Sequence, residues 1–116
     1  MHTAANIMVG IVALIHVYIL VLEMFLWEKP TGLRAFGLSK DFAKATRVLA
    51  GNQGLYNGFL AAGLFWGLGT GDTHVQYFFL GCVLVAGMYG AITANIRILW
   101  VQAAPAAVAM VLLGLV

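Results

Sequence analysis

Two ionisable side chains lie in the first long apolar stretch of the chain. Glu23 and His16 are seven residues apart, and residues 1–22 carry no Asp, Glu, Lys or Arg. Glutamate and histidine both serve as general acids and bases. Seven residues place the two side chains on one face of a helix but about 10.5 Å apart along its axis, too far for direct contact. We therefore predict acid/base roles for Glu23 and His16, with partners supplied by another helix, water or a ligand.

A second polar group lies on the next long helix that we expect. Three amides and a phenol fall within an arc of about 140° on that helix, at about 100° per residue: Asn52, Gln53, Tyr56 and Asn57. Gly54 and Gly58 lie on its other side in a small-xxx-small pattern, which favours close helix packing. The polar groups lie at about the depth of Glu23, in the cytoplasmic half of the bundle. The predicted ligand-binding set is Trp27, Asn52, Gln53, Tyr56, Asn57, Tyr89 and Arg97.

A simpler interpretation stands beside this one. Amide and histidine side chains in apolar helices often only join helices, at about 0.6 kcal/mol per hydrogen bond. Glu23 can also reach toward Arg97 or Lys29 as a structural ion pair. The predicted site holds one histidine and one glutamate, too few ligands for a metal ion, and Cys82 is the single cysteine. We therefore expect no metal site, no cofactor and no internal disulfide.

The composition predicts the medium in which the protein folds. Hydrophobic residues make up 63% of the 116 residues and charged residues 9%, and the mean hydropathy is +0.98. Soluble domains carry about a quarter charged residues, and a chain this short cannot bury so much apolar surface in water. Six Lys and Arg residues with a net charge of +2 are too few to follow nucleic-acid phosphates. These numbers predict a membrane protein and argue against a soluble enzyme or a nucleic-acid binder.

Four uncharged windows predict the fold. Each is close to the ~20 residues that a helix needs to cross a bilayer; they are 1–22, 48–71, 73–96 and 98–116. We predict an all-α integral membrane four-helix bundle that forms a single transmembrane domain over residues 1–116. Its helices are expected near 5–27, 46–69, 74–95 and 98–116. Pro105 leaves two alternatives for the last helix: a kink at the proline, or a short helix that begins there.

The placement of positive charge predicts the orientation. Five of the six Lys and Arg residues follow the first helix, and Arg97 follows the third. By the positive-inside bias, the basic connection 28–45 faces the cytoplasm and both termini lie on the outer side. The first residues lack the basic region and cleavage site of a secretory signal, so we expect the first helix to be retained. The expected location is a bacterial inner membrane, crossed several times.

The basic connection also has local signals. Residues 29–32 form a turn signal around Pro30, and Ser39 followed by Asp41 predicts a capped helix start. Phe36 and Phe42 are expected to lie against lipid while the basic residues meet anionic headgroups. Membrane lipids are therefore expected partners.

A specific run of residues lies in the second predicted helix. It reads Asn52-Gln53-Gly54-Leu55-Tyr56-Asn57-Gly58-Phe59-Leu60-Ala61, and it occurs with His16, Glu23 and Trp27 and with Gln102-Ala103-Ala104-Pro105. On these residues the chain resembles, over essentially its whole length, the small four-span bacterial membrane proteins grouped as a domain of unknown function. The resemblance implies a four-helix inner-membrane protein without an assigned activity. A looser similarity connects the chain to the DoxX-like four-helix families.

Three functions fit these features. The first is a bundle that binds a small lipophilic ligand from the cytoplasmic leaflet, with Glu23 exchanging a proton; it is similar in architecture to four-helix sterol isomerases. The second is a proton-coupled transporter acting as a dimer, although one-sided charge favours a single orientation over the antiparallel pairs of small multidrug exporters. The third is an accessory subunit whose polar groups face the helices of a partner. A homo-oligomer is compatible with all three.

Overall fold

Helices make up every regular element of the described chain. The computed structural model describes residues 2–116, and no strand occurs in that range, which confirms the all-α class. In chain order the elements are α1 (His2–Met24), α2 (Pro30–Phe36), α3 (Lys40–Ala45), α4 (Arg47–Thr70), α5 (Thr73–Thr93), a π-helical turn (Leu99–Ala103) and α6 (Ala104–Gly114).

Two of the long helices end earlier than the sequence suggests. α1 ends at Met24 rather than near residue 27, because the chain turns there and the N–H groups of Phe25 and Leu26 both bond to the Val21 carbonyl. α5 ends at Thr93 rather than near residue 95. An uncharged apolar run thus locates a helix, but local hydrogen bonds at its end decide where it stops.

The last apolar helix covers Leu99–Gly114 and so begins before Pro105. The chain enters it through the π-helical turn Leu99–Ala103, and Pro105 lies in the first turn of α6. In a regular α-helix the proline ring would clash with the carbonyl of Val101, four residues earlier. The wider π turn immediately before the proline gives that ring room. The helix therefore continues through Leu99–Gly114 with a π segment in place of a break.

The described chain divides into two compact units. One comprises the residues up to Ile15 together with Leu60–Val116, and the other comprises His16–Phe59. The core of the first unit is a set of small and branched apolar side chains from α1, α4, α5 and α6: Ala5, Val9, Val12, Ala13, Leu64, Leu80, Val83, Ala106, Ala109 and Leu113. Alanine at so many of these positions lets the helix backbones approach closely.

The second unit contains the basic connection with its two short helices. Pro30 begins α2, and Gly37, with φ of 65°, ends it in the left-handed conformation. The Ser39 hydroxyl accepts a hydrogen bond from the Phe42 backbone N–H, which confirms the predicted cap, and Asp41 lies in the first turn of α3. α3 ends at Ala45 with Thr46 as its C-cap, and α4 begins at Arg47, so the capped helix is separate from α4.

Apolar side chains cover much of the outer surface of the helices. Two helices, α1 and α5, are long and apolar enough to cross a membrane, and the shorter Leu99–Gly114 helix is also apolar. Large side chains lie exposed on each of these helices, among them Ile7, Leu14, Phe78, Val85, Ile92 and Val111. Apolar patches of this extent usually mark a contact with lipid or with another protein.

The two valines of α5 at positions 83 and 85 give a direct test of this division into core and surface. Val83 is 0% exposed and Val85 is 68% exposed. We expect Val83→Ala to lower the free energy of unfolding by about 2 kcal/mol, because it leaves a cavity in the core. Val85→Ala should change it by less than about 0.5 kcal/mol. Thermal unfolding of the two variants in one detergent measures the difference, and equal losses would contradict the assignment of the core.

Candidate functional site

The centre of the candidate site is a hydrogen bond between α1 and α4. Glu23 is 5% exposed, and its carboxylate Oε1 accepts a hydrogen bond of 2.6 Å from the Asn57 amide. Both residues belong to the second unit, and Asn57 is only half-buried. A carboxylate has about four lone-pair sites, so one amide donor leaves acceptor capacity at the same group. The pair can therefore accept hydrogen bonds from a further molecule.

Glycine on α4 allows this contact to form. A Cβ atom at Gly54 would lie 2.6 Å from Met24 Cγ and 3.1 Å from Glu23 Cβ, and one at Gly58 would lie 2.6 Å from Leu20 Cδ1. Only a residue without a side chain lets the two helices come this close. The small-xxx-small pair therefore packs α4 against the end of α1 and brings Asn57 within reach of Glu23.

The structure separates the polar residues that the sequence groups together on α4. Asn57 and Gly54 both meet α1, so one of the amides shares a face with the glycines, which the sequence predicts on the opposite side. Asn52, Gln53 and Tyr56 are exposed, Tyr56 at 62%. Of this group, hydrogen bonds within residues 2–116 join only Asn57 to Glu23. The four side chains do lie within about 140° of one another on α4, but only Asn57, at one end of that arc, faces α1.

Trp27 lies in the turn after α1 and holds the basic connection. Its indole Nε1 donates to the Thr46 hydroxyl at 3.1 Å, and its ring packs on Phe36 with centroids 4.9 Å apart. The helical spacing that would place Trp27 on the face of Glu23 does not apply, because α1 has already ended at Met24. The indole thus fastens the start of α4 to the end of α1.

The other predicted site residues lie in different surroundings. His16 is fully buried on α1, seven residues before Glu23. Tyr89 on α5 is 71% exposed, and Arg97 is exposed in the turn after α5, where its backbone N–H donates to Asn95 Oδ1 at 2.9 Å. Tyr89 and Arg97 belong to the first unit, whereas the Glu23–Asn57 pair belongs to the second.

One ion pair of the second unit lies on the surface. Glu28 and Arg47 form an ion pair at 3.8 Å, with both side chains well exposed. A pair of this kind contributes less than about 1 kcal/mol. No group of three or more His, Cys, Asp and Glu side chains that could hold a metal ion occurs within residues 2–116. Among the buried side chains of the second unit, Glu23 and His16 are the two that can exchange a proton.

Two polar residues outside the predicted set also make structural contacts. Thr46 is the acceptor for Trp27, and Gln76 is a buried residue of α5 whose Nε2 donates to the Gly67 carbonyl at 3.0 Å. The Gln76 Oε1 atom has no hydrogen-bond partner among the described residues. Asp72 caps α5 and fixes its first turn, so the position of Gln76 one turn later could be anticipated from that cap.

The fold and the site together define a small all-α protein with an apolar surface and a buried carboxylate that is hydrogen-bonded to a half-buried amide. The chain belongs to the family described as "Protein of unknown function (DUF1304)", whose model matches residues 10–114. This confirms the resemblance to a family of unknown function. The chain is also similar to the uncharacterized protein YpaA of Lactococcus lactis subsp. lactis (strain IL1403), with 30% identity over 105 residues that cover 87% of this chain and 88% of the relative. Neither match carries a link to the DoxX-like families. No solved structure matches the chain.

Substitution of Gly54 tests whether close packing of α1 and α4 supports the pair. Gly54→Ala should lower the free energy of unfolding by about 1–3 kcal/mol, because its Cβ meets Met24 and Glu23. Gly69→Ala is the matched control on the same helix, since nothing lies within 4 Å of a Cβ there. Thermal unfolding of both variants in detergent measures the effect. If the two substitutions destabilise equally, the close approach at Gly54 is not what holds the helices.

Proposed function

We propose that the protein is a multi-pass protein of the bacterial inner membrane, built on four helices. The exposed apolar side chains on α1, α5 and α6 support this proposal, because lipid is the surrounding that such surfaces need. α4 has 24 residues, a length of about 36 Å, which exceeds the ~30 Å of hydrocarbon. The Leu99–Gly114 helix is about 24 Å long, so a slightly thinned bilayer would suit it.

We infer that the Glu23–Asn57 pair is the binding centre for a small lipophilic ligand. The observation that carries this inference is a nearly buried carboxyl group in an apolar helix with one amide donor at 2.6 Å. An ionisable group in such a helix is costly, and an amide pair would join the helices at lower cost. The remaining lone pairs suit a ligand that carries a hydroxyl or amine donor on an apolar body. Because Asn57 is half-buried whereas Glu23 is buried, a ligand would reach the carboxyl group from the side of Asn57.

Acid/base chemistry on that ligand is a natural extension of the same proposal. Glu23 would take or give the proton at the polar end of the ligand, and buried His16 would be the second ionisable group along α1. Proton-coupled transport would use the same carboxyl group. It differs from acid/base catalysis in that the ligand is released unchanged on the other side of the membrane. The exposed amides of α4 favour another possibility, an accessory subunit whose polar side chains bind the helices of a partner protein.

The variant Glu23→Gln separates binding from structure. Glutamine keeps an acceptor oxygen for Asn57, so we expect thermal unfolding in detergent to be nearly unchanged. We expect the loss of the charged acceptor, worth about 1.5–3 kcal/mol, to reduce the bound ligand about 10- to 100-fold. The measurement is mass spectrometry of lipophilic molecules extracted from the purified protein.

Glu28→Gln is the matched control, because Glu28 sits in an exposed ion pair and should leave the extracted molecules unchanged. An unfolded Glu23→Gln variant would support a purely structural carboxyl group. Equal amounts of the same molecules in wild type and in Glu23→Gln, or none in wild type, would contradict the binding role.

The proposed orientation predicts where the C-terminus lies. A tag placed after Val116 should be accessible from the periplasm of intact cells, while a reporter inserted in the basic connection should stay protected. Protease or maleimide labelling of intact and permeabilised cells measures both. A cytoplasmic tag would contradict the orientation and would move the Glu23 end of α1 to the outer side.

A further inference from the structure

We propose that α4 is the self-association surface of the protein, and that a second copy of the chain covers it through Asn52. The surface consists of Val48, Asn52, Tyr56 and Phe59, which we call the Asn52 face. The four residues fall within an arc of about 80° on α4, and all four are exposed. This face is directed away from Gly54 and Asn57, which meet α1.

The need for a partner comes from the amide at the centre of this face. Asn52 is exposed, and its side chain makes no hydrogen bond to any residue of the described range 2–116. Val48, Tyr56 and Phe59 around it are large and at least half exposed, so the amide lies in an apolar patch. An amide facing hydrocarbon without a partner is costly, and interhelical hydrogen bonds are how membrane helices remove that cost. This step rests on the proposed membrane location and not on the role of Glu23.

The chemistry of Asn52 favours a second copy over a different protein. An amide is both a donor and an acceptor, so two copies related by a two-fold axis complete each other without any further group. All copies that insert in one orientation share an axis along the membrane normal, which brings each Asn52 to the depth of its equivalent. The Asn52 face of one copy therefore offers the donor and the acceptor that the Asn52 face of a second copy needs.

Three features beside Asn52 also suit a symmetric contact. Gly51 borders this face, about 60° around α4 from Val48, and nothing lies within 4 Å of a Cβ atom built there, so a second helix can approach the backbone along that border. Tyr56 and Phe59 already pack on each other, with ring centroids 6.0 Å apart, and form an ordered apolar flank. The charge of Arg47, one residue before Val48, is compensated by Glu28 at 3.8 Å, which reduces repulsion between two copies.

Disulfide cross-linking in membranes tests the proposal. In a Cys82→Ser background, Val48→Cys should form a dimer-sized product on mild oxidation, because equivalent positions meet across the axis. Ile92→Cys is the matched control: it is also β-branched and exposed, and we expect it near the same membrane surface, but it lies on α5. Adding Asn52→Ala to Val48→Cys should reduce the cross-linked fraction about tenfold, as expected for the loss of about 1.4 kcal/mol of interhelical hydrogen bonding.

The outcomes separate this proposal from the proposed membrane location. Recovery of the protein in the soluble fraction after cell lysis would contradict the membrane location itself. Recovery in the membrane with equal cross-linking at positions 48 and 92, or with no effect of Asn52→Ala, would overturn the Asn52 face alone. A cross-linked product of Val48→Cys with a mass other than twice that of the chain would assign the face to a different protein and also overturn it.

Discussion

A carboxyl group that leaves water needs hydrogen-bond donors within the protein, and this need organises the second unit. Glu23 is nearly buried, and Asn57 supplies a donor at 2.6 Å. The donor can reach it only where α4 approaches α1 closely, which Gly54 and Gly58 permit. Trp27 then fixes the connection that joins the two helices. The polar pair therefore depends on the close packing of α1 and α4, and a larger side chain at Gly54 would displace the carboxylate.

α4 carries amide side chains on two faces, and the amides of the two faces have different surroundings. Asn57 lies inward and meets a carboxylate of the same chain. Asn52 lies outward among large apolar side chains and has no hydrogen bond within residues 2–116. In water an outward amide is unremarkable, whereas in lipid it demands a partner. The surrounding medium thus decides whether the outer face of this helix is an ordinary surface or an interface.

The sequence alone predicts much of the fold and less of the site. Uncharged runs locate long helices because charge is excluded from apolar surroundings, and the Ser39 cap follows from local chemistry that acts within four residues. The rotation of α4 does not follow in this way. Its buried and exposed faces are both largely apolar, so hydrophobic periodicity cannot tell which amide faces α1. That choice depends on where Gly54 meets Glu23, a contact between distant parts of the chain.

The π-helical turn Leu99–Ala103 gives the last helix an unusual tolerance of changes in length. A π turn holds one residue more than the α-helical path between the same two ends. Deleting a single residue there, together with Pro105→Ala to remove the ring that needs the wider turn, would convert the turn into regular α-helix and leave Ala106 and Ala109 facing the core as before. The same deletion within α5 would rotate every later side chain of that helix by about 100° and expose part of the core. A shorter chain can therefore keep the same core if the residue it lacks falls just before position 105 and position 105 is not proline.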